Sequence, residues 1–480
     1  MIDRMSNLPD EVAHNILAFL DITDLTRFGC VSKRCRELYL STPSLDFDGF
    51  SDANTSTCSR RLMLLSSLDR FLLLHCAVNK IQRFRICWNN LLSEENPCFI
   101  EDVRFRVITW IHNAVRCKVE VLEVDVSVFE VRSYFLPSSV FLCGSLRSLL
   151  LSSLDLILKA PSLASSSNLE CLKLEFVDIE DDKGFFKWIS CSCKCIKELH
   201  LYHVFGIEQV IIESPSLKSF SFVHHTDSDL FPYLFLSISG EKLEDVLIDW
   251  EFGSTFDNFL NIFAPNLKYL KWSGNVVLRK NLGQFMCLEK AQLFLKPQAD
   301  DVKILSEVLR SITINRVEAL VLNKETTMAL LNGVFEPGLL KNVFHLSIHI
   351  GSFLDILVPE MVSMFGGTCN LRTLEIKSDP QFLDLKTDCS GFNMGYWRLQ
   401  NLAFIPHLKE VTIELSNGSN GIELAAYMLE YAQNLKKMVI VHSPQQYSVI
   451  RKLNKSKRIS SATVVFQEDQ QRGNKKQRLR

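Results

Sequence analysis

The chain has 480 residues, 47% of them hydrophobic and 22% charged, with 53 Lys and Arg against 55 Asp and Glu for a net charge of −2. That length exceeds what one ordinary core serves, so it predicts several domains or one elongated repeat array, and the composition excludes a chain that is disordered along its bulk. No apolar run approaches the roughly 18 to 20 residues that span a bilayer, and MIDRMSNLPDE lacks an apolar signal core, so no membrane partner is expected and the location is cytoplasmic, nuclear or both.

The first element is LPDEVAHNILAFL, Leu8 to Leu20. Pro9 suits the first turn of a helix, where a missing N–H costs nothing, and Asp10 with Glu11 set negative charge at the positive end of the macrodipole. Leu8, Val12, Ile16 and Phe19 form one apolar stripe, and Ala13, Leu17 and Leu20 a second beside it. Together they cover about 180° of the helix, against the roughly 100° of an ordinary surface helix. Such a helix needs two apolar neighbours. The segments DLTRFGCV and SKRCRELYL that follow predict two more short helices, which supply one neighbour and leave the other stripe for the repeats or another protein.

From about residue 81 a short pattern returns: apolar-x-x-apolar-x-apolar, usually after Ser, Pro or Asn. Clear copies are SLRSLLL, NLECLKL, CIKELHL, SLKSFSF, NLKYLKW and NLRTLEI; VEVLEV, KLEDVLI, CLEKAQL, RVEALVL, HLKEVTI and NLKKMVI are weaker, and IQRFRI (81–86) is taken as the first. Successive copies from Val119 to Val317 start 21 to 29 residues apart, the range of leucine-rich repeats. In each copy the last two apolar residues have strand period, so they enter a core while their neighbours face out. Segments such as DKGFFKWIS and FDNFLNIFAPN predict short helices or loops that return the chain to the next strand. DPQFLDLKTDCSGFNMGYWRL reads as a long irregular insertion. Beyond it, HLKEVTI, a helix with Leu424, Met428, Leu429 and Ala432 on one face, and NLKKMVI form a strand, helix, strand cap. Arg451 to Arg480 carries ten Lys and Arg against Glu468 and Asp469, a basic tail expected to be partly disordered, suited to a nuclear signal or to a solvated terminus.

LPDEVAHNILAFL followed by VSKRCREL resembles the F-box, the helical motif that docks on a Skp-type adaptor. Carried onto this chain, the resemblance implies adaptor contacts at Leu8, Pro9, Val12, Ile16, Leu17, Leu20, Val31, Ser32 and Leu38. Cys35 stands where the commonest plant form has Trp. Plant F-box proteins often join irregular leucine-rich repeats to a C-terminal FBD region, and residues 407–443 are similar to it. The fold expected is therefore α/β: an F-box at residues 1–45, an irregular leucine-rich-repeat solenoid, arc or horseshoe, at 75–405, FBD-like terminal repeats at 406–445, and the basic tail at 446–480. The resemblance implies the substrate-recognition subunit of a Skp–cullin–F-box ubiquitin ligase, with a Skp-type adaptor and through it a cullin as partners, and an unknown target protein on the repeats.

Chemistry in the chain itself is sparse. Fifteen cysteines without regular spacing predict reduced thiols, mostly small core residues. CSCKC (191–195) places its cysteines too close for a closed tetrahedral zinc site, and HHTDSD (224–229) reads as a polar turn. No phosphate-binding loop, nucleophile elbow, zinc-protease or dinucleotide motif occurs, so neither catalytic residues nor a cofactor is expected. The repeats show no basic stripe, and nucleic acid is not the expected target. Partner contacts belong on outward strand positions, with Glu123, Lys173, His200, Ser221, Tyr269, Lys271 and Glu375 as candidates. Two other readings keep the same fold: a small-molecule, hormone-type receptor on the repeat face, and a structural repeat protein without a ligase role.

Overall fold

A computed structural model describes residues 7–47, 66, 69–72, 80–90, 98–128, 133–161, 167–225, 234–252, 258–298, 301–333, 338–379, 389–416, 418–443, 453 and 461–468. The chain forms two compact units, Met1–His225 with Leu230–Leu243, and Thr226–Asp229 with Glu244–Arg480.

The first unit opens with helices α1 (Asp10–Leu17), α2 (Ile22–Gly29) and α3 (Lys33–Ser41). Their ends follow from local chemistry. Pro9 precedes the acidic first turn of α1, the Asp21 carboxylate accepts from the Asp24 N–H at the start of α2, and the Ser32 hydroxyl accepts from the Cys35 N–H at the start of α3. Ala13, Leu17, Leu25 and Leu38 form the core of this trio, with Leu8, Leu20, Ile22, Phe28 and Tyr39 packed around it.

α3 runs almost directly into the ladder. Strand β1 (Ser44–Phe47) pairs in parallel with β2 (Arg83–Asn90), Leu45 opposite Phe84 and Phe47 opposite Ile86. The ladder thus begins at Ser44, one strand before IQRFRI. It continues through β3 (Val121–Val128), β4 (Ser148–Ser152), β5 (Cys171–Glu175), β6 (Glu198–Tyr202) and β7 (Ser219–His225), each parallel to the last. The paired apolar positions of the repeat, Leu149 with Leu151, Leu172 with Leu174 and Leu199 with Leu201, are all buried. The Ser or Asn that introduces a copy has a physical role: Ser145 donates to the Val119 carbonyl, Asn168 to Gly144 and Ser216 to Ile196, closing the turn of the preceding repeat.

Return segments differ along the chain. Helix α4 (Cys98–Arg116) lies between β2 and β3, and α5 (Asp182–Ser192) between β5 and β6. DKGFFKWIS is therefore helical as expected, capped by the Asp181 carboxylate on the Gly184 N–H. Elsewhere the return is itself extended. Tyr134–Phe135, Leu156–Leu158 and Asp178–Ile179 pair with one another, and Gln209–Glu213 pairs with Phe235–Ser239.

The second unit carries β8 (Asp245–Glu251), β9 (Tyr269–Asn275), β10 (Lys290–Lys296), β11 (Val317–Leu322), β12 (Val343–His349), β13 (Thr373–Lys377), β14 (Glu410–Glu414), β15 (Lys437–His442) and β16 (Thr463–Glu468), again parallel and in register. Gly274 has φ of 91°, and a Cβ there would lie 1.6 Å from the Trp250 carbonyl oxygen, so only glycine lets β9 lie against β8. FDNFLNIFAPN corrects the expectation of a helix or loop: Phe259–Phe263 is a strand paired with Arg279–Leu282, in which Leu260 and Ile262, two residues apart, are buried while their neighbours are not. Helices α6 (Val302–Thr313), α7 (Lys324–Asn332) and α8 (Val358–Gly366) form returns in the next repeats.

The expected irregular insertion contains helix α9 (Met394–Gln400), started by the Asn393 side chain, with Trp397 buried against Tyr427; its residues 380–388 lie outside the described set. The expected strand, helix, strand unit is present as β14, α10 (Asn420–Tyr431) and β15, with Leu424, Met428, Leu429 and Ala432 buried, but it does not end the ladder, because β16 pairs onto β15. The tail contains one described strand. Thr463–Glu468, within the segment assigned to a basic terminus, is β16, the TVVF run supplying its strand character; most of the tail lies outside the described residues. No described helix is long and apolar enough to cross a membrane.

Candidate protein-interaction surfaces

Helix α1 is two turns long, and its two stripes separate. Ala13 and Leu17 are buried against α2 and α3, whereas Val12 and Ile16 are each 44% exposed. The helix stops at Leu17, so Phe19 lies on the following turn and is 90% exposed. Val31, in the turn before α3, is 75% exposed. The start of α3 is fastened to the start of α1 by Arg34, which donates to the Asp10 carboxylate and, at 3.4 Å, to the Leu8 carbonyl. The Arg34 hydrogen bond holds the Asp10 carboxyl below its usual range.

The nine residues that the F-box resemblance implied as contacts therefore split into groups. Pro9, Val12, Ile16 and Val31 are exposed; Leu8, Leu20 and Ser32 are half-buried, Ser32 also capping α3; Leu17 and Leu38 are buried in the trio's core and face inward. Cys35 is buried as well. Phe19, the most exposed apolar side chain of this region, was absent from that set although its place in the first stripe was legible in the sequence.

The outward ladder positions lie in files. In the first unit Asp46, Arg85, Glu123, Leu150, Lys173, His200 and Ser221 follow one another in register. Arg85 bridges Asp46 at 3.2 Å and Glu123 at 3.5 Å, and Glu123 also takes Arg83 at 3.0 Å. Lys173 sits 5.2 Å over the Tyr202 ring, on which His200 stacks. Burial lowers the His200 pKa against the pull of Glu198, and Ser221 is buried, which leaves its backbone partner His200 as the more accessible of the two. In the second unit Lys271 and Glu375 share one file, Leu247, Lys271, Gln292, Val321, Ser347, Glu375, and Tyr269 lies one position earlier on the same face. Tyr269 donates to Gln292 at 2.9 Å, and Glu375 accepts from Ser347 at 2.6 Å.

The CSCKC cysteines diverge: Cys193 is buried at the end of α5, which pushes its thiol up to about 12, while Cys191 and Cys195 are exposed. His224 and His225 end β7, and the remainder of HHTDSD, residues 226–229, lies outside the described set.

Comparison with known proteins agrees with this geometry. Residues 5–38 match the model of the F-box domain, and residues 107–321 match that of the leucine-rich repeats of FBD-associated F-box protein At5g56370. The chain is 26% identical to F-box/FBD/LRR-repeat protein At4g03220 of Arabidopsis thaliana, over 92% of this chain and 89% of that one, and 24% identical to At5g44950 of the same name, over 91% and 92%. F-box/LRR-repeat protein 13 of Arabidopsis thaliana is 30% identical over 51% of each chain. Proteins of this kind generally act in substrate recognition for Skp–cullin–F-box ubiquitin ligases and are typically non-catalytic, and an F-box implies binding to a Skp-type adaptor. Its three N-terminal helices and its parallel ladder are thus those of an F-box followed by FBD-associated leucine-rich repeats, the two models that the chain matches, and along most of its length the chain is similar to the F-box/FBD/LRR-repeat proteins of Arabidopsis thaliana.

Proposed function

We propose that this chain is the substrate-recognition subunit of a Skp–cullin–F-box ubiquitin ligase, docking a Skp-type adaptor through the exposed side of α1 and holding a target protein on its outward strand faces. The observation that supports it most directly is the division of α1 and the turn after it, with Leu17 buried in the helical trio and Val12 and Ile16 on the helix and Phe19 on the turn exposed to solvent. Apolar area left in water costs about 25 cal/mol per Å², and a partner that covers it recovers that free energy.

In this reading the chain supplies position, and transfer chemistry belongs to the enzyme that the cullin recruits. Holding the target raises the effective concentration of its lysines near the charged ubiquitin carrier.

The test is co-expression with a Skp-type adaptor. The wild-type chain is expected to co-elute with it, and Ile16→Asp, which places a charge in the contact without entering the core, to elute alone with an unchanged melting temperature. Absence of a wild-type complex, or equal complexes from both proteins, overturns the assignment.

A further inference from the structure

The residues that enter successive ladder strands form a file of their own. In the first unit it alternates in charge from Glu120 through Arg147 and Glu170 to Lys197, joined rung to rung by backbone hydrogen bonds of 2.7–2.8 Å, and only the next rung, Lys218, repeats the charge before it. Their side chains neutralise one another, Arg147 pairing with Glu170 at 2.7 Å, Lys197 also with Glu170, and Lys80 with Glu120. The second unit begins the same way, Lys268 pairing with Glu244 at 2.9 Å.

Later in that unit the alternation stops. Phe344, Arg372, Lys409 and Lys436 are consecutive rungs, each N–H donating to the preceding carbonyl at 2.7 Å. Arg372, Lys409, Lys436 and the neighbouring Lys437 are all exposed, and none of them has an ion-pair partner among the described residues. Glu410, opposite Lys437 in register, is the acid set beside them. An alternating file satisfies itself locally; a uniform one directs its field into solvent and favours an anionic partner.

We propose that the Arg372, Lys409, Lys436 file is a contact surface for an acidic, extended segment of a target protein. The inference rests on the substrate-recognition reading and names the chemistry of that substrate. Three strand spacings from Phe344 to Lys436 amount to about 14 Å, which about four residues of extended peptide span. The aromatic ring at the head of the file is already engaged: the Arg316 and Arg372 guanidinium groups lie 4.6 and 5.0 Å from the Phe344 centroid. A single-stranded nucleic acid uses open aromatic faces for base stacking, and this ring does not offer one. Carboxylates, which need only cations and N–H donors, fit what the file presents.

The test uses the full chain and fluorescence anisotropy at low salt, with a labelled (Glu-Ser)5 peptide, its (Gln-Ser)5 counterpart and a (dT)10 oligonucleotide. The acidic peptide is expected to bind and the neutral one not to. Affinity for the acidic peptide is expected to fall about tenfold in R372Q/K409Q/K436Q and steeply with added salt. K183Q/K194Q/K218Q, which removes the same charge from the first unit, should stay within about twofold of wild type. Ile16→Asp should bind the peptide normally, so failure of adaptor docking and failure of this surface are separately visible. No binding by the wild type, equal losses in the two triple variants, or tighter binding of (dT)10 than of the acidic peptide overturns the proposal.

Discussion

Ile16 and Leu17 are neighbours in the chain, about 100° apart around α1, and differ in burial: Leu17 is 1% exposed in the core it shares with Ala13, Leu25 and Leu38, and Ile16 is 44% exposed. The two positions should therefore fail in different ways. Leu17→Ala leaves a cavity in a small core and is expected to cost about 2–5 kcal/mol, read as lost amide-exchange protection across residues 10–41. Val12→Ala, on the exposed side, should shift the same protection by less than about 0.5 kcal/mol. Equal effects from the two substitutions would contradict the assignment of faces.

The Asn that introduces a repeat is expected to matter through its amide donor. Asn370 donates to the Lys341 carbonyl at 2.7 Å, as Asn434 does to Pro406 at 2.6 Å. Asn370→Ala should lower stability by about 1 kcal/mol, and Asn370→Asp by more, because a carboxylate oxygen would then face a carbonyl oxygen. Denaturant midpoints of the two variants give the order, and the reverse order would rule this role out.

Acid should weaken the first unit in a defined window. His224 is buried near His203 and His225; burial first, then the neighbouring imidazoles, lowers its pKa from 6.5 to about 4. A base with a depressed folded pKa binds more protons when unfolded, so its contribution is complete above about pH 6.5 and is lost as pH falls toward about 4, a change of about 3 kcal/mol. His200 and His345, also lowered by burial, act in the same direction. His224→Phe is expected to flatten the decline between these limits in a denaturation series, and a slope identical to wild type would refute the cause given.

Trp397 is fully buried, its ring 6.4 Å from that of Tyr427 on α10. Trp397→Ala should cost about 3–5 kcal/mol and raise exchange in α9 and α10 first, with Trp397→Phe recovering part of the loss. If α9 and α10 exchange as in wild type, the helix does not brace the terminal repeats.

The repeat pattern was legible because two apolar positions with strand period enter one core, and burial at Leu149, Leu151, Leu172 and Leu174 follows that spacing. VFHLSI obeys the same spacing and became β12, yet Phe344 in an outward position disguised it. The extended returns were less legible: a run such as FLNIF has a strand pattern, but whether it pairs depends on Arg279–Leu282 arriving beside it, a tertiary circumstance. At the N-terminus the two stripes were plain, whereas the family resemblance carried Leu17, Leu38 and Ser32 together with the exposed residues. Only packing separates the side chains that hold the trio from those that face outward, and only the helix end at Leu17 shows how far Phe19 projects.

The central claim is that the outward side of α1 binds a Skp-type adaptor, and titration calorimetry of the purified chain with that adaptor tests it most directly. The account predicts a 1:1 complex that Ile16→Asp weakens by at least about tenfold, or about 1.4 kcal/mol, with Phe19→Ala weakening it in the same direction and the melting temperatures unchanged. Wild-type binding that neither substitution alters would contradict it.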